Sequence, residues 1–302
     1  MEAEEAGQPH EALFLVLPYL PLFDLLALTQ VCTSLRDAVH MDVLPWLELV
    51  IENPLSRKLS DDILLKFTSK ASGRLRILSL SNCSKITDDG LLRVIQDNPL
   101  IEKLFVAGCT SLSPEGILDA VKTLISTSNR LRCLRINGIY NLNKDHLQPL
   151  QFYLELNQTT LQEPQVPAPI FFHDHGDSTR VRECNSRSID VEICPKCDEV
   201  RMVFSCPRET CKECRGCIFC IPRCAECGVC VDASEETEEA VCGDLLCSAC
   251  WVQLKPKCSF CNRPYCRQHR KQETRCSSGP HGFVCGVCNW EYIENMSNGK
   301  LV

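Results

Sequence analysis

No apolar run in this chain approaches the roughly 20 residues that a membrane-spanning helix needs. The opening Met1 to Glu5 is acidic where a secretory leader would be basic. Basic residues are outnumbered as well, with 32 Lys+Arg against 39 Asp+Glu and a net charge of −7, which argues against a nucleic-acid binder. No H-E-x-x-H occurs, nor any open three-ligand pattern beside a Glu base, so hydrolytic metal chemistry is not expected. Cysteine is scarce in the first part: Cys32, Cys83, Cys109 and Cys133 precede residue 184, and the other twenty of the 24 lie between Cys184 and Cys288. Without a leader, that density indicates metal ligation and not disulfides. At 302 residues the chain is long enough for two or three domains, expected in the nucleus, the cytoplasm or both.

What is present begins with a helical stretch from Gln8 to Trp46. Leu13, Phe14, Val16, Leu17 and Leu20 recur at helical spacing, and Leu22, Leu25, Leu26, Leu28 and Val31 continue it beyond Pro21. Pro21-Leu22-Phe23-Asp24 reads as a turn into a helix, with the carboxylate suited to the first turn. Three short helices of this size cannot cover so many large apolar side chains among themselves. The surplus belongs either to a partner or to the domain that follows, on which the helices would be a cap.

These residues resemble the F-box, the docking module of ubiquitin-ligase substrate receptors. Pro9 and Glu11 resemble its opening, Leu17 to Leu22 its Leu-x-Tyr-Leu-Pro-Leu core, Asp24-Leu25-Leu26 its second helix, and Val31-Cys32, Arg36 and Pro45-Trp46 its later signature. Gln8, Pro18 and Leu35 depart from the family pattern. The resemblance implies that Pro9, Leu13, Leu17, Leu20, Pro21, Leu22, Leu25, Leu26, Val31, Cys32 and Trp46 dock a Skp-family adaptor and, through it, a cullin-RING ligase.

A self-similar region follows. Leu75-x-x-Leu78-x-Leu80-x-x-Cys83, Ile101-x-x-Leu104-x-Val106-x-x-Cys109 and Leu131-x-x-Leu134-x-Ile136-x-x-Ile139 start 26 and then 30 residues apart. Each reads as a short strand with alternating apolar residues pointing inward, then a turn and a returning helix. Thr87-Asp88-Asp89 and Ser113-Pro114-Glu115 look like helix starts. A weaker fourth unit begins near Leu44, with Leu47, Leu49 and Leu59. The lines resemble cysteine-containing leucine-rich repeats, and three or four would form a short arc. The arc reads as scaffold more than as a full binding horseshoe, and its strand face (Ser79, Ser81, Lys103, Phe105, Arg135, Asn137) is the surface to test if it does bind a partner. From Leu156 the pattern breaks into a Pro-rich stretch that reads as a linker, where His173 and His175 are solvated.

The last third carries the chemistry. Cys194, Cys197, Cys206, Cys211, Cys214, Cys217, Cys220, Cys224, Cys227, Cys230, Cys242, Cys247, Cys250, Cys258, Cys261, Cys266, Cys285 and Cys288, with His269 and His281, make 20 candidate ligands. Two thiolates three positions apart on a tight turn reach one ion, and a second pair completes the tetrahedron. Three to five zinc ions are expected, but spacing does not say which pair closes which site. Cys184 is isolated, and His269, in Cys-x-x-His spacing, is a better ligand than His281. With so few large aliphatic residues, metal binding would supply the folding energy. Residues 184–302 hold 15 Lys+Arg against 16 Asp+Glu, too balanced for a DNA-binding module, and Asp232 to Glu239 reads as a solvated acidic loop. A RING-type cross-brace would need a Cys-x-His-x-x-Cys-x-x-Cys centre. The nearest run, Cys242-x4-Cys247-x-x-Cys250, lacks the His and reads as wrongly spaced.

The order of the whole chain, with Cys214-Arg-Gly-Cys217-Ile-Phe-Cys220-Ile-Pro-Arg-Cys224 its most specific part, resembles a small group of plant F-box proteins, the Skp-interacting partners. The expected fold is a multidomain α/β chain: a three-helix F-box (1–50), a leucine-rich repeat arc (51–157), a Pro-rich linker (158–189) and a cysteine-rich zinc-binding domain with little regular secondary structure (190–295). The resemblance implies a non-enzymatic receptor subunit of a Skp-cullin-F-box ubiquitin ligase that recruits a protein target through tail or repeats. The alternatives are a zinc-dependent nucleic-acid or chromatin binder and a self-sufficient RING-like ligase.

Overall fold

Proline placement sets the first helices. The computed structural model describes residues 11–156, 169–172, 187–211, 213–231, 237–267, 269, 278–279 and 282–290. Helix α1 spans Ala12–Val16 and gives way to a 3-10 turn, Leu17–Tyr19, because Pro18 supplies no N–H for a further helical turn. Pro21 then precedes α2, Leu22–Leu28, which carries Asp24 in its first turn. Helix α3 spans Thr33–Met41. Trp46 is buried behind it, its indole N–H donating to the Val39 carbonyl at 2.8 Å and its ring stacked on Phe67 at 6.1 Å. Lys70 Nζ lies 4.1 Å from the same ring, and burial lowers its pKa.

The chain divides into two units, 1–168 with 181–193 and 199–201, and 169–180 with 194–198 and 202–302. In the first, β1 (Glu48–Ile51), β2 (Ile77–Leu80), β3 (Lys103–Phe105) and β4 (Cys133–Arg135) form a four-stranded parallel sheet in chain order. The strands are joined by α4 (Asp61–Thr68), α5 (Asp88–Asp97) and α6 (Pro114–Thr127), and α7 (Lys144–Leu156) follows β4. Register lines up Leu49, Leu78, Leu104 and Leu134 as one buried row. Ile51, Leu80, Val106 and Ile136 are also fully buried. Side chains of α1 to α3 join this same apolar cluster.

A polar ladder links consecutive units. Asp61 accepts from Thr87 N–H and hydroxyl at 3.0 and 2.7 Å, and Asp88 accepts from Ser113 N–H and hydroxyl at 2.9 and 2.6 Å. Thr87 and Ser113 in turn cap α5 and α6 by accepting from Gly90 and Gly116 N–H. A Cβ on Gly116 would stand 2.1 Å from Asp88 Cγ, so the close approach of that carboxylate requires glycine.

Two findings differ from the sequence pattern. The strand face singled out as a candidate binding surface is partly covered: Ser79 and Phe105 are buried, and the Arg135 guanidinium lies 5.6 Å from the Phe105 ring. Secondly, residues 187–190, read by composition as linker and its margin, run along β4. Leu134 N–H donates to Ser188 O at 2.7 Å. The buried Asp190 accepts from Ile136 and Asn137 N–H at 2.9 and 3.2 Å, satisfying amides at the sheet edge. Burial pushes the Asp190 carboxyl up against the opposing pull of those donors and of Arg135. Beyond it, β5 (Glu192–Ile193) pairs antiparallel with β6 (Val200–Arg201).

The second unit has short pieces only. A hairpin of β7 (Thr237–Glu239) and β8 (Leu245–Cys247) leads into α8 (Ser248–Gln253), and β9 (Ser278–Gly279) pairs with β10 (Gly282–Phe283). Its apolar clusters are small and built largely from cysteines.

Replacing Asp190 by Ala should lower the unfolding free energy of the first unit by about 2–3 kcal/mol, since two amides lose their acceptor. Urea unfolding followed by circular dichroism checks this, and an unchanged midpoint would deny the edge-clamping role.

Candidate metal centres and docking face

The tail's ordered turns begin with Cys-x-x-Cys followed by a residue that tolerates positive φ. Asp198, Gly228 and Asn262 follow Cys197, Cys227 and Cys261 with φ of 63, 72 and 56°. In each turn the same residue donates its N–H to the carbonyl of the first cysteine (Cys194, Cys224 or Cys258) at 2.8 to 2.9 Å. The pairs facing them lead into helix or turn: Cys247 and Cys250 at the start of α8, Cys285 and Cys288 in the last described turn, and Cys217 and Cys220 beside Ile221.

Five groups of four donors result: Cys194, Cys197, Cys217 and Cys220; Cys206, Cys211, Cys214 and Cys230; Cys224, Cys227, Cys247 and Cys250; Cys242, Asp244, Cys266 and His269; and Cys258, Cys261, Cys285 and Cys288. Sulfur–sulfur separations of 3.7 to 3.9 Å recur: Cys197–Cys217, Cys206–Cys230, Cys211–Cys230, Cys227–Cys247 and Cys261–Cys285. That length matches the edge of a tetrahedron with metal–sulfur bonds of about 2.3 Å, which is close to 3.8 Å. It is nearly twice a disulfide bond of about 2.05 Å. The four all-cysteine donor sets therefore fit tetrahedral metal ions.

Electrostatics favours thiolate at particular positions. Burial pushes the Cys194 thiol up, but N–H donors from Cys217, Lys196 and Cys197 overcome it and hold the pKa at about 6. Cys258 is likewise held at about 6 against burial, by N–H groups of Cys261, Cys285 and Phe260. Burial raises the Cys227 thiol to about 12, and the neighbouring Cys197 raises Cys220 to about 12. Without a metal each such cluster thus keeps protons that an incoming cation must displace. Arg223 is buried against the second group, its guanidinium 4.0 Å from Cys214 Sγ and bonded to Ser205, Phe204 and Gly228 carbonyls, which places a fixed cation beside the thiolates.

The groups interlock in sequence order: each opens before its predecessor closes. Two corrections follow. Asp244, absent from the sequence-derived ligand set, completes the group of Cys242, Cys266 and His269. The spacing rejected for a cross-brace is in fact Cys242-x-Asp244-x-x-Cys247-x-x-Cys250, with the carboxylate in the slot sought for His. Asp was missed because a carboxylate on a turn has no signature until its three co-donors are known. Burial opposes ionisation of Asp244, but bonds from the Cys266 and Cys242 thiols and His269 hold its carboxyl below the usual range. His281, like Cys184 and Cys276, lies outside the described residues.

At the other end of the chain, the residues assigned to docking separate into two sets. Leu17, Leu22, Leu25 and Trp46 are buried in the protein's own core, so they shape the helical unit and do not present a surface. Leu20, Leu26 and Cys32 are half-buried, while Leu13, Pro21 and Val31 are exposed. Pro9 lies outside the described residues. Exposed apolar side chains outside the assigned docking set stand beside them: Leu15 at 76%, Tyr19 at 72%, with Val16 and Phe23. Period alone does not tell which apolar stripe faces inward.

Comparison with known proteins bears on both ends. Residues 9–52 match the family described as F-box-like, and residues 190–260 match the one described as At3g27290 F-box protein C-terminal domain. The latter stretch contains every ligand of the first three groups. F-box protein SKIP28 of Arabidopsis thaliana is 45% identical over 306 residues, covering 97% of this chain and 94% of its own. F-box protein SKIP14 of the same plant is 36% identical over 82% of this chain and 55% of its own. F-box protein At3g27290 is 37% identical over 76% and 62%. Among solved structures, a Caenorhabditis elegans tropomodulin C-terminal domain shares 15% identity over 34% of this chain and 79% of its own, with a TM-score of 0.27, too low to bear on the fold.

Stripping metal from the full-length chain with a strong chelator should abolish amide-exchange protection across 194–290 and leave that of α4 to α7 in place. Hydrogen exchange read by mass spectrometry checks this. Retained protection in the tail would mean that its order does not depend on metal.

Proposed function

The chain belongs to the F-box protein family, and from that premise we propose that it is the substrate-receptor subunit of a Skp-cullin-F-box ubiquitin ligase. The observation that carries this reading is the exposed apolar surface on α1, the following turn and α2, where Leu13, Leu15, Val16, Tyr19 and Phe23 are not covered by other described residues. A Skp-type adaptor is the partner that the family and the names of the SKIP relatives support. The four-strand stack is read as a short arc of leucine-rich repeats, on the strength of its parallel register and leucine row. The four all-cysteine clusters are read as zinc sites, supported by their edge lengths and by the affinity of thiolates for that ion. Metal here organises the tail and performs no reaction. The target is recruited by tail or repeats, and transfer of ubiquitin belongs to the other subunits. Cysteine clusters with the spacing of metal donors and not of disulfides suit a reducing location, nucleus or cytoplasm.

One observation favours a second reading, a RING-like ligase module in the tail. The third and fourth groups interlock as Cys224-x-x-Cys227, Cys242-x-Asp244, Cys247-x-x-Cys250 and Cys266-x-x-His269, around the β7–β8 hairpin and α8. In this reading the full-length chain, without cullin or adaptor, would form ubiquitin chains with a conjugating enzyme. No transfer in that assay, beside transfer by the assembled complex, would leave the receptor role alone.

Tyr19→Asp and Phe23→Asp should each weaken adaptor binding by about 2 kcal/mol or more, with metal content unchanged. Leu25→Asp should instead unfold the helical unit, because that side chain is buried. Titration of the purified adaptor by calorimetry checks both. Full affinity in Tyr19→Asp and Phe23→Asp would overturn the assignment of this face.

A further inference from the structure

Four of the five donor groups are all-cysteine; one is not. In the fourth, a single oxygen, Asp244 Oδ2, lies 3.2 Å from Cys242 Sγ, 2.9 Å from Cys266 Sγ and 2.9 Å from His269 Nδ1. Cys266 Sγ and His269 Nδ1 are 3.1 Å apart. Two thiols, an imidazole and a carboxylate converge on one point, with edges of 2.9 to 3.2 Å. These lie a few tenths of an ångström inside the roughly 3.3 to 3.5 Å that zinc bonds to oxygen, nitrogen and sulfur would set, so the group has to open slightly to take an ion. The backbone is shaped for it. Gly243, at φ +82°, turns the chain between Cys242 and Asp244, and Ala240 and Asp244 close that turn by an N–H to carbonyl bond at 2.9 Å. Val241 N–H donates to Pro264 O at 2.9 Å, and Arg263 pairs with Glu239 at 3.0 Å, so the two halves of the donor set are fastened together from outside it.

We propose that Cys242, Asp244, Cys266 and His269 bind a fifth zinc-type divalent ion, with Asp244 as its anionic oxygen ligand, and that this is the exchangeable site of the tail. The inference rests on the metal reading of the four thiolate clusters and deepens it. A dication among four thiolates carries a net charge of about −2, whereas two thiolates, a carboxylate and a neutral imidazole leave about −1. Two soft sulfurs are replaced by a harder nitrogen and oxygen, which hold a zinc-type ion less firmly. Asp244 and His269 are partly open to water, with side chains 33% and 39% exposed, so a competing ligand can reach the ion. Cys197 and Cys261 are exposed as well, and the faster exchange therefore follows from the weaker donor set.

The test uses the full-length chain loaded with zinc, with total metal measured by plasma mass spectrometry and release followed with a chromogenic chelator. The expected result is five equivalents, of which one leaves at least about ten-fold faster than the rest, a ratio within the range that changes around a metal produce. Asp244→Ala and His269→Ala should each drop the total to four and erase the fast phase. Asp244→Cys should keep five and erase the fast phase, and its intact metal content separates lost ligation from misfolding. A wild-type total of four, or five equivalents retained in Asp244→Ala, overturns the proposal. Five equivalents leaving at one rate overturns the exchangeable character. Fewer than four equivalents in the wild type overturns the thiolate-cluster reading and this one together, an outcome distinct from a total of four.

Discussion

Mutual repulsion among sulfur ligands is the constraint on which the C-terminal part depends. Thiolates held under 4 Å apart would force one another apart or take up protons. In the proposed zinc reading, a dication at the centre of each group would remove that conflict and replace it with bonds stronger than the small apolar clusters around them provide. Among the described residues, the buried Arg223 guanidinium lies against one group, and its two terminal nitrogens donate to backbone carbonyls, which fixes it there.

The first unit solves the ordering problem by other means. Its strands are only three or four residues long, too short to be stable alone, but each lays its leucine on the next in a continuous buried row. The Asp-to-cap ladder then fixes the helix starts at the pitch of the sheet, because a carboxylate from one helix reaches the hydroxyl and amide at the start of the next. Apolar burial supplies the drive and the polar ladder supplies the register. At the far edge, Asp190 does for β4 what a further strand would have done.

Much of this was legible in residue order, and the remainder fails for identifiable reasons. The repeat lines announced themselves because strand and helix periods alternate at similar intervals, 26 and then 30 residues, and Thr87 and Ser113 occur where a cap is needed. The paired cysteines announced ligation because their spacing is that of a tight turn. Pairing was not legible, since Cys211, Cys214, Cys217 and Cys220 are equally spaced and only the folded path sends the first two to Cys230 and the last two to Cys194 and Cys197. Asp244 and Asp190 were invisible for a related reason: each acts on groups 22 to 54 residues away, and an acid on a turn reads as solvated. In the leading helices the apolar period was correct but ambiguous. Leu17, Leu22, Leu25 and Trp46 turned out to serve their own chain, while Tyr19 and Phe23, adjacent to them, carry the open surface.

The overlapping order of the ligand groups has a consequence for how such a tail is made. Cys224 and Cys227 leave the ribosome before Cys230 has closed the group ahead of them, and Cys242 and Asp244 before Cys247 and Cys250 arrive. At almost every point of synthesis, then, at least one half-built site waits for residues not yet translated. A stop codon anywhere between 224 and 285 strands reactive thiols, and no single knuckle can be cut out or transplanted by recombination without orphaning its neighbour. Such a tail is inherited whole or lost whole.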